Sequence, residues 1–223
     1  VQIARRYYDP NGTEDYRNYD TVMTKLTYFD QQEKYELMAV NDRFTTASYE
    51  KLGGTVSSGE FGSMMKEIFE PSTDAEFHWV RWATLRGHRA HVYSYVVDQP
   101  HSKWSILDRQ SNDQISPGYT GLVFIERDTN TVMRVTLKAE GIPPTFPIQE
   151  ADDRLDYDTV AISGQPFILP LMAQVHLKAG KVNQKNDIEF HNYKKFSADT
   201  TLKFEDVATS PLPDDQTKEQ PVK

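Results

Sequence analysis

Apolar and polar positions alternate through most of this chain in short runs separated by turn sequences, and that pattern predicts an antiparallel sheet. The clearest unit is GYTGLVFIERDTNTVMRVTLKAEG, Gly118–Gly141, in which Tyr119–Glu126 and Val132–Glu140 flank a connection through Asp128-Thr129-Asn130. Phe77–Leu85 and His88–Val97 form a second hairpin about Arg86-Gly87. Tyr19–Phe29 and Tyr35–Asn41 make an earlier one, joined through the polar Asp30–Lys34. Lys103–Asp108 reads as a short strand, and Arg154–Ile162 and Gln165–Leu169 pair around Ser163-Gly164. Leu171–Ala179, Asp187–Lys195 and Thr200–Phe204 follow. The opening YYDPNGTEDYRNYD has no sustained period and is read as loop or a short helix. IPPTFPI, with three prolines, takes the chain out of the sheet.

One segment has a helical period instead. In SSGEFGSMMKEIFEP, Phe61, Met64, Met65 and Ile68 follow i, i+3, i+4, i+7 spacing, Ser57 and Glu60 have capping-box spacing, and Pro71 ends the run. Helical crossovers are otherwise missing, so about ten or eleven strands joined as neighbours predict a mainly β fold. The expected architecture is a large curved antiparallel sheet, or incomplete β-barrel, with a short covering helix. Strict alternation along Phe77–Leu85 puts Trp79 on one face and Trp82 on the other, so bulky groups are expected on both. Either a filled core or an aromatic wall around a cavity accounts for them.

Composition narrows the classes. The 223 residues are 38% hydrophobic, enough for one sizeable core, and are read as a single domain over 1–209. SPLPDDQTKEQPVK, 210–223, has few large apolar groups and is read as a flexible tail. A net charge of -8 argues against nucleic acid as a partner. The absence of Cys excludes disulfides, a thiol nucleophile and thiolate-bound zinc. No run has the roughly 18 apolar residues of a membrane span. VQIARRYYDP lacks a signal-peptide core, and a start without Met is consistent with a mature or trimmed form.

Candidate chemistry is sparse. His88 and His91, three apart on a strand, face opposite sides, and His78, His101, His176 and His191 fall in separate elements. Asp156 and Asp158, beside Asp152 and Asp153, match no calcium loop and read as a solvated acidic face. Ser57, Ser58 and Ser63 lack a nucleophile-elbow setting, and Gly53–Gly59 lacks the lysine of a phosphate-binding loop. No catalytic residue, metal site or cofactor is expected, and Lys194-Lys195 reads as solvated or ion-paired charge.

The segments GEFGSMMKEIF, FHWVRWATLRGHRAHVYSYVV, GYTGLVFIERDTNTVMRVTLKAEGIPPTFPI, LDYDTVAISGQPFILPLMAQV and FHNYKKFSADTTLKF, in order over Gly59–Phe204, resemble uncharacterised secreted bacterial proteins of acidobacterial type. More remotely, Tyr119, Gly121, Ile125, Thr129 and Arg134 resemble the Tyr-x-Gly-centred core of the outer-membrane lipoprotein carrier (LolA-like) and lipoprotein-sorting superfamily. That resemblance implies an incomplete antiparallel barrel whose concave face, closed by helices, holds acyl chains. It implies a periplasmic or otherwise extracytoplasmic, noncatalytic protein, with a lipid, a lipoprotein or an envelope protein as partner. Met64, Trp79, Trp82, Tyr93, Tyr95 and Phe124 are the candidate ligand-binding residues. The alternative is a structural or protein-interaction module with a filled core, and after it an unrecognised enzyme.

Overall fold

The computed structural model describes residues 2–53, 59–195 and 212–221. Its strands are β1 (Gln2–Asp9), β2 (Arg17–Phe29), β3 (Gln32–Val40), β4 (Arg43–Phe44), β5 (Glu76–Leu85), β6 (His88–Val97), β7 (Ile106–Asp108), β8 (Asp113–Ile115), β9 (Gly118–Glu126), β10 (Val132–Glu140), β11 (Glu150–Ile162), β12 (Gln165–Ala179), β13 (Val182–Phe190) and β14 (Glu219–Gln220). Among the described residues two α-helices accompany them, α1 (Ser63–Phe69) and α2 (Asp214–Thr217). Twelve strands form one curved antiparallel sheet that does not close into a barrel, in the order β14-β5-β6-β9-β10-β11-β12-β13-β1-β2-β3-β4. β7 and β8 form a separate pair. The mainly β class and the short helix over an open sheet are as the alternation predicts.

From β9 to β13 each strand lies beside the next in sequence, as short antiparallel connections require. At Arg86-Gly87 and Ser163-Gly164 both turn residues have positive φ, the backbone that matches the twist of a two-residue hairpin. β1 then seats beside β13, so both ends of the strand series meet in mid-sheet. The larger core lies on the face we call inner, where Tyr95, Tyr119, Val123, Val135, Leu137, Leu155, Tyr157 and Ile188 pack with Met64 and Ile68 of α1. A smaller cluster of Ala83, Leu85, Ala90, Val92, Phe124 and Met133 occupies the outer face of β5, β6, β9 and β10.

Several expectations need correction. The opening residues form a mid-sheet strand, β1, rather than loop or helix. Its buried positions are Gln2, Ala4, Arg6 and Asp9, so its buried side carries almost no apolar signal. Arg6 is held there by Asp20, with Nε to Oδ1 at 2.5 Å, and by the Gly53 carbonyl at 2.6 Å. Pro170 does not divide two strands: β12 runs through it, next to a register shift opposite Asp156 and Tyr157 that accommodates a residue without an N–H. β13 lies earlier than Asp187–Lys195, because the turn falls at Gly180. Within the segment read as a tail, Asp214–Thr217 form a helical turn and β14 pairs with Thr84 and Leu85 of β5. The expected strand Thr200–Phe204 and the expected cap Ser57 lie outside the described residues.

Candidate functional site

A register shift on β5 decides which aromatic groups share a face. Trp79 lies opposite Tyr93, but Arg81 lies opposite Val92, so Val80 is an extra residue and the alternation resets there. Trp82 then falls opposite His91, which is two residues from Tyr93 on β6. Directly opposed residues share a face, so Trp79, Trp82, His91, Tyr93 and Tyr95 all face inward. The expectation that Trp79 and Trp82 face opposite ways is thus overturned. The Trp82 ring stacks within 4.0 Å of His91 and lies under the Arg89 guanidinium at 4.5 Å. Trp79, nearer the open end of the strand, is 54% exposed.

Tyr95 is fully buried, and burial pushes its hydroxyl well above the usual phenol range, so it stays a hydrogen-bond donor. It donates to the Thr136 carbonyl at 2.7 Å. Met64 packs in the same core from α1. Phe124 does not join them, because it pairs with Val92 and Arg134 on the outer face, where Arg81 and Arg134 both lie 5.9 Å from its ring centre. Five of the six candidates therefore line the inner side and one lies behind the sheet. Tyr95 and Met64 are packed solid, leaving only Trp79, Trp82 and Tyr93 partly accessible.

α1 is only seven residues long and is fixed from outside itself. The Glu33 carboxylate on β3 accepts the Gly62 and Ser63 amides, each at 3.0 Å, the Ser63 hydroxyl at 2.9 Å, and the Gly59 amide at 3.0 Å. A negative group on the orphan N–H groups of a first turn is favourable both as acceptor and as charge. At the other end Glu67 accepts from Tyr119, at 3.1 Å, and Phe69 stacks on Phe77. The helix thereby bridges β3 on one side of the sheet and β5 and β9 on the other.

Just before α1, Phe61 forms the wall of an apolar pocket of about 610 Å³. Its ring centre lies 5.6 Å from Tyr28, 5.9 Å from Phe190 and 6.1 Å from Tyr193. Leu26, Phe29, Ile162, Phe167 and Leu169 complete the apolar lining, and His191, Asn192, Lys194 and Lys195 are among the polar groups that border it. Tyr193 is buried and donates its hydroxyl to the Pro170 carbonyl, fixing the chain after β13 against β12. A volume in the range of roughly 300–1,000 Å³, mostly apolar walls and a few polar groups describe the usual small-molecule site. None of Trp79, Trp82, Tyr93 and Tyr95 lines this pocket. Of its walls, sequence reasoning singled out only Phe61, as one of the helix-face positions. The rest come from strand ends far apart in the chain, and only the pairing of β1 with β13 brings β2 beside β12 and β13.

The remaining chemical groups sort by face. A second recess, of about 550 Å³, is polar and bordered by Glu14, Tyr16, Lys138, Asp152, Arg154, Gln174, His176 and Lys185. Two of its polar groups are paired within it, His176 Nδ1 with Asp152 at 2.8 Å, and Gln174 Nε2 donates to Asp187 on β13 at 2.7 Å. Asp156 is not on a solvated face but buried, and ion-paired with Arg134 at 2.7 Å, Arg86 at 3.4 Å and Arg154 at 3.7 Å. His88 and His91 do face opposite sides, His88 toward Glu126 and His91 onto Trp82. Among the described residues no three His, Asp or Glu side chains are grouped to hold a metal ion. Compared with family models, with curated proteins and with solved structures, the chain finds no match.

Proposed function

We propose that this chain is a noncatalytic binding protein of the cell envelope that takes up lipid or another apolar molecule in the pocket around Phe61. The observation that carries the reading is the apolar recess of about 610 Å³ whose aromatic walls come from four separate segments. Burying hydrocarbon there stabilises a complex by about 0.8 kcal/mol for each fully buried CH₂, so affinity needs no reactive group. The envelope setting rests on the resemblance to secreted bacterial proteins. The test is titration with N-phenyl-1-naphthylamine, an uncharged probe that fluoresces in apolar surroundings. Saturable binding of one probe per chain, weakened at least tenfold by Phe167→Glu in a protein of unchanged circular dichroism, supports the reading; no binding by the folded wild-type chain overturns it.

A second reading, a protein-interaction module, is favoured by one feature of β5. Glu76, Phe77, His78, Trp79 and Val80 are all exposed, although they include two large aromatic groups. Among the described residues, β14 alone pairs along that edge, and it reaches Thr84 and Leu85. Exposed apolar edges of this kind suit strand addition by another chain. Under this reading Trp79→Lys abolishes recovery of a partner from envelope extracts and leaves probe binding unchanged; unchanged recovery removes the reading.

A further inference from the structure

We propose that the ligand of the Phe61 pocket is a single-chain amphiphile with an anionic head, its tail against Phe61, Phe167, Leu169 and Phe190 and its head at Lys194 and Lys195. The inference rests on the binding reading of the same pocket. Its basis is the distribution of charge. The chain has 33 acidic and 25 basic Lys and Arg residues, yet among the described residues no carboxylate lines this pocket. Its charged border consists of lysines, with His191 beside them. In a molecule of net charge -8 this is a local reversal of sign, which draws an anion to this mouth and away from the rest of the surface.

Geometry places the charge where a head group belongs. The Lys195 Nζ stands 5.2 Å from the centre of the Phe167 ring and 3.5 Å from the Gln165 amide oxygen. The ammonium is thus held at the margin of an apolar wall, with Lys194 next to it and exposed, as Lys195 is. Lys25 also borders the pocket, and it pairs with Glu36 at 3.7 Å across the β2–β3 ladder. A carboxylate and a phosphate monoester are equally served by two ammonium groups, so a free fatty acid and a phosphate-headed single-chain lipid share the chemistry.

The experiment holds the tail constant and changes the head. Dodecanoate, dodecyl phosphate, dodecanol and dodecyltrimethylammonium are titrated below their micelle concentrations into the full chain by calorimetry. The two anions bind about tenfold more tightly than dodecanol, and the cation binds least. The tighter of the two anions identifies the source of the head group. In Lys194→Gln/Lys195→Gln, both exposed sites, the anion preference falls to within about twofold while dodecanol still binds. Added salt weakens only the anionic arms. Equal binding of dodecanol and the anions by the wild-type chain, or a preference that survives the double substitution, overturns the head-group assignment and leaves apolar binding intact. Failure of all four amphiphiles and of the neutral naphthylamine overturns the binding reading itself.

Discussion

Tyr95 of β6 reaches across the whole width of β9 because residue 121, directly opposite it, is Gly. The Tyr95 hydroxyl bonds to Thr136 of β10, two strands away, and a Cβ on Gly121 would lie 1.9 Å from that Thr136 carbonyl and 2.6 Å from the Tyr95 hydroxyl. The β9–β10 ladder opens at this point, and the Leu122 amide bonds to the Thr136 side-chain hydroxyl at 2.9 Å. The Tyr-x-Gly signature at 119–121 therefore has a packing explanation in this chain. Gly121→Ala forces apart backbone as well as a side chain, with an expected loss of about 3 kcal/mol in urea unfolding. Tyr95→Phe removes one donor and leaves a buried carbonyl, costing about 2 kcal/mol. A Gly121→Ala protein as stable as the parent contradicts this account.

What the sequence made legible, and what it hid, follows from where polar groups are buried. The hairpins at Arg86-Gly87 and Ser163-Gly164 were readable because apolar alternation and turn residues agree. β1 was not, since Gln2 and Arg6 occupy its inward positions, where the Gln2 Oε1 accepts from Thr24 and Arg6 is held by Asp20 and the Gly53 carbonyl. Trp79 and Trp82 were assigned opposite faces because a one-residue bulge at Val80 leaves no mark in an aromatic strand and yet inverts everything after it. The Phe61 pocket was hidden for a different reason. Its walls belong to β2, β12, the end of β13 and the approach to α1, segments related only by sheet order.

The helix α1 depends on a residue about thirty positions away in sequence. Glu33 accepts from Gly59, Gly62 and Ser63, and Gly62 offers no side-chain cap of its own. Glu33→Ala strips these acceptors together and is expected to cost about 2 kcal/mol. Amide exchange of Met64–Phe69 accelerates by at least tenfold, whereas Val123 and Val135 in mid-sheet stay protected. Uniform acceleration over all these amides would assign Glu33 a global role instead.

Asp156 counters a concentration of positive charge on the outer face. Arg134 binds it through Nε at 2.8 Å and Nη2 at 3.0 Å, Arg86 approaches from the β5–β6 turn, and Arg134 also donates to the Thr217 carbonyl at 2.6 Å. Asp156→Asn removes the carboxylate and leaves buried guanidinium groups without a counter-charge, which is expected to cost about 3 kcal/mol. Because Arg134 also carries Thr217, the variant is predicted to expose the bond after Lys218 to trypsin before global unfolding. Cleavage there at the parental rate would separate the ion pairs from the seating of β14.

Asp153 supplies the expected pH signature. It faces the inner core, where burial, and next the nearby Glu60 carboxylate, raise its pKa well above the ordinary 3.8. A raised carboxylate binds its proton more tightly in the folded chain than in the unfolded one. Its contribution is therefore most favourable below about 3.8 and is lost progressively as pH rises from there to the folded value, above which it is constant. Asp153→Asn keeps the shape and removes the titration. The variant is predicted to gain urea stability relative to the parent as pH is raised from 4 toward neutrality, with the two converging in acid. A constant difference between parent and variant across that range would mean that Asp153 is not the group that titrates.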